Sequence, residues 1–278
     1  MSNYRVPAGS MVNLYPLVMP LKRHGVHEKF AGKGENAVNA TTDSLVSGLN
    51  DEENIEAEWQ SENRTRAALY NLFATAMARQ VDEAWLNPGF TATLRGGLPD
   101  NPGKELVLKA IDSAQTDRKY FDEMQLDFDA LFTVPGSKLI FPYESCYMCR
   151  NVDGTFGRLW QEPAQDMYRI LQEWQLKFAE GWDLIPDHIA VELFFMAHVC
   201  HVAGEADFND QEVVAKLKDW QERFFRSHLA QWVFYLLRNM EQKAGTDYYR
   251  GLTMLLRAFL AEEWKVLKSP EDDLHILI

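Results

Sequence analysis

The run "IAVELFFMAHV", Ile189 to Val199, most constrains what this chain can fold into. Wound into a helix, it is apolar on almost every side, so other elements must enclose it. It is too short to cross a bilayer, which takes ~20 apolar residues, and no run of ~18 or more occurs elsewhere. The chain must therefore supply its own shell around this segment.

The shell is legible as further helices. "DEENIEAEWQSENRTRAALYNLFATAMA" begins with acids and then places Ala68, Leu69, Leu72, Phe73 and Ala76 at i, i+3, i+4 spacing. That is an amphipathic helix with a favourable acidic start. "NPGF" and "RGGLPDNPGK" mark connections, while "ELVLKAIDSAQ" and "DEMQLDFDALF" predict two more helices. "TVPGSKLIFPYES" predicts a loop. "AQDMYRILQEWQLKFAEG" predicts a helix closed by Gly181 as its C′ residue. Beyond the apolar segment, which runs to about His201, "QEVVAKLKDWQERFFRSHLAQWVFYLLRNMEQKA" predicts a helix, a break near Ser227 and another helix. "TDYYRGLTMLLRAFLAEEWKVL" predicts the last. No alternating strand pattern or Asn-Gly hairpin appears. The fold class is all-α, about eight to ten helices around one core.

Residues 1–55 read as an extension, flexible or draped on an all-helical domain at 56–278. Gly, Asn, Ser and Thr dominate "AGKGENAVNATTDSLVSGLN" without sustained periodicity. The patch Tyr15-Pro16-Leu17-Val18-Met19 is apolar enough to dock in a groove of the body. Residues 1–50 carry five Lys or Arg against three Asp or Glu, a balance of +2. The whole chain is at −13, so the remainder carries −15. So acidic a body argues against a nucleic-acid partner, which requires a basic face, and favours basic ones. At the N-terminus the charges follow the short apolar run, the reverse of a secretion signal. The three cysteines are too few for a secreted disulfide scaffold. The expectation is a cytoplasmic protein that does not insert in a membrane.

Chemistry-bearing motifs are sparse. Cys146 and Cys149 form C-x-x-C, but no βαβ pattern surrounds them and no second ligand pair completes a zinc site. A metal or redox protein using this pair remains the alternative reading. "AGKGEN" and "VPGSK" do not complete a P-loop, and neither G-x-S-x-G nor H-E-x-x-H occurs. Asp187 and His188 are adjacent, so on a helix they diverge by about 100° and make an improbable catalytic pair. The expectation is no enzyme activity, no catalytic residue, no metal and no cofactor.

Pro186-Asp187-His188 admits two readings. Pro186 suits the first helical position and Asp187 the first turn, where a carboxylate complements the helix dipole. His188 gains nothing there when charged. The alternative is a recognition site, with His188 and Glu192 four apart on one face.

"LIPDH", leading into an apolar helix with Glu192, resembles the signature of the TorD/DmsD/NarJ family, dedicated chaperones of molybdenum oxidoreductases. "RAALYNLFATAM" is similar to that family's first helix, and "DFDALFTVPGSKLIFPYESCY" to its loop region. "FFRSHLAQWVFYLLRNMEQKAGTDYYRGLTMLLRAFL" is similar to its C-terminal helices. The likeness covers roughly residues 58–265; the N-terminal extension and the two loop cysteines depart from it.

The resemblance implies a single-domain, all-helical chaperone. Its partner would be the apo catalytic subunit of a dimethyl sulfoxide reductase-type molybdenum oxidoreductase, with the subunit's twin-arginine leader peptide. It would act before cofactor insertion. Whether the chain is a monomer or a domain-exchanged dimer stays open in the sequence, because hinges such as "AGEADFND" allow helical proteins to exchange elements between chains. By motif, the client-binding positions carry over to Asp187, His188, Phe128, Leu131 and Phe132, and more weakly to Tyr143, Glu144 and Tyr147.

Overall fold

A computed structural model describes residues 17–18, 42–179 and 182–267. In chain order, β1 (Leu17–Val18) precedes α1 (Thr42–Ala78), α2 (Pro88–Gly97), α3 (Pro102–Thr116), α4 (Arg118–Phe128) and α5 (Glu144–Met148). Then come α6 (Glu162–Glu173), β2 (Lys177–Phe178), α7 (Ile189–Glu205), α8 (Gln211–Phe224), α9 (Ala230–Lys243) and α10 (Asp247–Leu267). The architecture is all-α, as the helical periodicities predict.

Helix α7 forms on the apolar run and is buried from Ile189 through Ala197 without interruption. Helix α1 packs along it, and α8 covers another side. A second layer places α10 against α3, α9 and α4, while α5 joins α6 and α9. Phe195, Phe224, Phe225, Tyr249 and Trp232 sit in the shared core at full or nearly full burial. Each such side chain contributes about 1.5–3 kcal/mol by leaving water.

Several local expectations change. Helix α1 begins at Thr42 and so crosses the boundary expected at 55/56. Its most buried stripe is Asn63, Arg66, Tyr70, Phe73 and Met77, whereas Ala68, Leu69 and Leu72 are only half-buried. The stripe is displaced because a polar network, described below, occupies its upper part. "NPGF" starts helix α2: the Asn87 carboxamide oxygen accepts from Gly89 N–H (2.9 Å) and Phe90 N–H (3.3 Å), with Pro88 at the first position.

Helix α6 ends at Glu173, well before Gly181, which lies outside the described residues. Gln175 takes the left-handed conformation (φ 55°). Leu176 N–H then reaches Leu171 O (2.8 Å) and Gln175 N–H reaches Gln172 O (3.0 Å). These are the two bonds of a Schellman stop, closed by the apolar contact expected between the buried Leu171 and Leu176. Burial of Leu176 supplies what a glycine would otherwise supply.

Leu17–Val18 pairs antiparallel with Lys177–Phe178, Leu17 opposite Phe178. Tyr15, Pro16 and Met19 of the same apolar patch, and most of the 1–55 extension, lie outside the described residues.

Two π-helical turns interrupt the regular helices, at Asp129–Thr133 and Phe225–Leu229. The second falls on the break predicted near Ser227. Such turns are rare and occur mostly as single-turn bulges within α-helices, frequently at functional sites. Here they hold Leu131 and Phe132 in one case and His228 in the other.

Candidate functional site

The loop "FPYES" and the segment "IPDHI" meet as a single antiparallel bridge between Tyr143 and His188. Glu144 N–H donates to Asp187 O (3.0 Å), and Ile189 N–H donates to Pro142 O (2.9 Å). The tight turn Ile185–His188, closed by His188 N–H to Ile185 O (3.0 Å), places Pro186 at its first corner. Pro186 and Asp187 therefore precede the helix rather than forming its first turn, correcting the position expected for them.

Both members of the Asp-His pair act as caps. Helix α5 has no side-chain cap of its own. Asp187 Oδ2 fills that place from across the bridge, accepting from Ser145 N–H at 2.8 Å. His188 is the N-cap of α7, its Nδ1 accepting from Ala190 N–H at 3.1 Å. An accepting Nδ1 is unprotonated, and burial pushes the imidazole down to about 3. Asp187 is fully buried and His188 is 5% exposed. The Tyr143 ring stands edge-on to His188, centroids 5.0 Å apart.

Beneath the bridge lies a buried acid cluster. Glu144 Oε2 sits 2.8 Å from His228 Nδ1, and His228 stacks on Phe224. Glu192 Oε2 accepts from Trp232 Nε1–H at 3.0 Å. His228 and Trp232 are one helical turn apart, so the His-Leu-x-x-Trp run brings one hydrogen-bonding ring nitrogen to each acid. Burial, with Glu144 alongside, pushes the Glu192 carboxyl well above the ordinary carboxylate range. Tyr147 lies against Trp232 (5.3 Å) and its hydroxyl accepts from Asn239 Nδ2 at 3.3 Å. Asp187 Oδ1 and Glu192 Oε1 are buried with no hydrogen-bond partner.

Of the expected site residues, Asp187, His188, Tyr143, Glu144 and Tyr147 are thus brought together. Phe128, Leu131 and Phe132 form a separate group. Leu131 is fully buried, its carbonyl accepting from Ile140 N–H at 2.7 Å. Phe128 packs on Phe132 (5.1 Å) and Tyr249 (6.1 Å). Asp127 was not singled out by sequence. Its carboxylate accepts from Gly245 N–H (2.9 Å), Thr246 N–H (2.8 Å) and Thr246 Oγ1–H (2.9 Å), holding the start of α10. His228, Trp232 and Ser145 are likewise not singled out by sequence, whereas Glu192 enters it only as a neighbour of His188. The available signal was Glu192 itself, since an acid inside an apolar helix must find partners.

Cys146 is buried and Cys149 half-buried, both as free thiols. Burial first, then Asp187, pushes the Cys146 thiol up to about 12, opposite to what a nucleophilic or metal-binding thiolate requires. Among the described residues no three His, Cys, Asp or Glu side chains are grouped to hold a metal ion. No helix among them is long and apolar enough to cross a membrane. A shallow cleft lined by Pro88, Arg95, Asp112 and Gln115 contains none of the expected site residues.

Outside the bridge, Met148 at the end of α5 is exposed, as are Val152, Leu159 and Trp160 in the connection that follows it. That connection is tied back to the site by Gln161 N–H donating to Ser145 Oγ (3.3 Å).

Comparison with known proteins matches residues 99–238 to the nitrate reductase delta subunit family. That span contains the Phe128 group, the Pro-Tyr-Glu-Ser loop, the Pro-Asp-His turn and the His228–Trp232 run. The chain is 25% identical over 204 residues to a chaperone protein TorD of Vibrio parahaemolyticus, covering 71% of this chain and 92% of the relative. A chaperone protein TorD of Shewanella pealeana is 22% identical over 216 residues (74% and 91%). One of Psychrobacter is 25% identical over 227 residues (78% and 97%). With its matched segment spanning the bridge and the acid cluster, this chain belongs to the TorD/DmsD/NarJ chaperone family.

Proposed function

We propose that this chain is a maturation chaperone for a molybdoenzyme and carries out no reaction of its own. Its client is the apo catalytic subunit of a dimethyl sulfoxide reductase-type molybdenum oxidoreductase, held in the cytoplasm until the cofactor is inserted. The observation that carries the reading is the span of the family match. It takes in every motif that meets at the Tyr143–His188 bridge, and the relatives that share it are named as TorD chaperones.

The client's twin-arginine leader is the second proposed contact. A net charge of −13 attracts a leader bearing two arginines and speeds encounter. The apolar run that follows the arginines suits a helix-in-groove mode of capture. Asp187, His188, Glu144, Phe128 and Leu131 are buried, so in this reading they shape the client-binding surface from beneath. Phe132 and Tyr143 are partly exposed, and in the same reading they touch the client.

Titration calorimetry with the full chain tests this, using the apo catalytic subunit and, separately, a synthetic leader peptide. Binding to the subunit supports the chaperone reading, and binding to the peptide supports leader recognition. Absence of binding to both overturns the proposal.

A further inference from the structure

Three carboxyl groups meet under the Tyr143–His188 bridge: Asp187 from the turn, Glu144 from α5 and Glu192 from α7, each at most 3% exposed. Each has one hydrogen-bond partner: Ser145 N–H donates to Asp187, Trp232 Nε1–H donates to Glu192, and His228 Nδ1 lies 2.8 Å from Glu144 Oε2. Glu192 then has a buried oxygen, Oε1, with no donor to receive. The carboxyl of Glu144 lies beside it, and that group too is an acceptor unless a proton lies between them. Two carboxylates in contact without water repel strongly, and one proton turns that repulsion into a hydrogen bond. The groups around Glu192 agree with this. Glu144 comes from α5, Asp187 precedes α7, and Trp232 comes from α9. None of these is a lysine or arginine, and His228 is already engaged with Glu144.

We propose that Glu144 and Glu192 share a single buried proton, with Glu192 the neutral acid, and that this proton latches α5 and its loop onto α7. In this arrangement His228 carries its proton on Nδ1 and Glu144 accepts, while Glu192 donates through Oε1 and still accepts from Trp232 through Oε2. Removing the proton sets two like charges in contact directly beneath the backbone bridge, and the bridge is the element that yields. The latch rests on the fold alone and stands independently of what the client is.

Infrared difference spectroscopy of the full chain tests the proposal. At neutral pH the wild type is expected to show a protonated-carboxylic-acid carbonyl band, which ordinary exposed carboxyls lack at that pH. Glu192→Gln keeps the volume, the acceptor for Trp232 and a donor for Glu144, so it is expected to fold and to lose the band. Asp187→Asn is expected to keep it. The absence of the band in the wild type overturns the proposal, and that measurement needs no variant. So do a band that vanishes in Asp187→Asn but survives in Glu192→Gln, and a Glu192→Gln chain that fails to fold.

Discussion

Asp187 Oδ2 accepts from the backbone N–H of Ser145, 42 residues earlier, at 2.8 Å with both groups buried. The carboxylate caps a helix that has no capping side chain of its own, and it also covers the place where two motif segments pair. Asp187→Ala leaves that N–H buried without an acceptor, which costs about 1–3 kcal/mol. Asp187→Asn keeps an acceptor and is expected to lose less than half as much. Urea denaturation of both variants measures the difference. Client titration of the Asn variant then separates recognition from capping: unchanged affinity with nearly unchanged stability assigns Asp187 to capping alone.

Stability is expected to peak near pH 6.5. Burial pushes His188 down to about 3, and burial aided by His201 pushes His198 down to about 4. Both histidines are depressed in the folded state, so their contribution is complete above the ordinary value of about 6.5 and is lost as pH falls toward the folded values. Glu192 is raised, so its contribution is complete below about 4.5 and is lost as pH rises. Each proton is worth about 1.4 kcal/mol per pH unit. Between about 4.5 and 6.5 two histidines oppose one acid, and the net slope rises with pH; above 6.5 the acid acts alone and the slope reverses. His188→Asn keeps a cap acceptor and removes one histidine, so the interval from 4.5 to 6.5 should become nearly flat. Denaturation midpoints at stepped pH check both slopes.

Helices α3 and α10 approach closely at Gly103 and Gly251. A Cβ at Gly251 would stand 2.6 Å from the carbonyl oxygen of Gly103, which is backbone and cannot swing away. Gly251→Ala must therefore push the helices apart, and overpacking of this kind costs about 1–3 kcal/mol. Gly96 has open space where a Cβ would go and serves as the control, since Gly96→Ala within α2 is expected to be neutral or stabilising. Thermal denaturation of the two variants makes the comparison.

The helices were legible because their apolar spacing is a local property. Ile189–Val199 announces a buried helix whatever surrounds it, and the break near Ser227 shows in the pattern of "FFRSHLAQW". What depended on distant residues was not legible. The stop of α6 at Gln175 relies on the burial of Leu176, so Gly181 was the better local guess. The Asp187–Ser145 cap and the Glu144–His228 pair, 84 residues apart, exist only once α5, α7 and the π turn are assembled. Even the direction of the α1 stripe was set from outside, by polar partners on α8 and α10.

Those partners make the last prediction. Arg66 forms a two-pronged pair with Glu263, Nε to Oε1 at 2.8 Å and a terminal nitrogen to Oε2 at 2.7 Å, with both side chains buried. The remaining positions are filled by Gln221 (2.6 Å), Asn63 (3.2 Å) and Tyr70, whose hydroxyl donates to Glu263 at 2.7 Å. Removing one partner leaves the other charge buried and alone. Glu263→Ala is therefore expected to cost about 3–5 kcal/mol. Replacing the pair together, Arg66→Met with Glu263→Leu, removes both charges and is expected to cost much less, with the loss confined to Gln221, Asn63 and Tyr70. A double-mutant cycle by urea denaturation measures the coupling. A double variant as unstable as the sum of its singles would mean that Arg66 and Glu263 act separately, and that the network does not hold α1 to α10 as a unit.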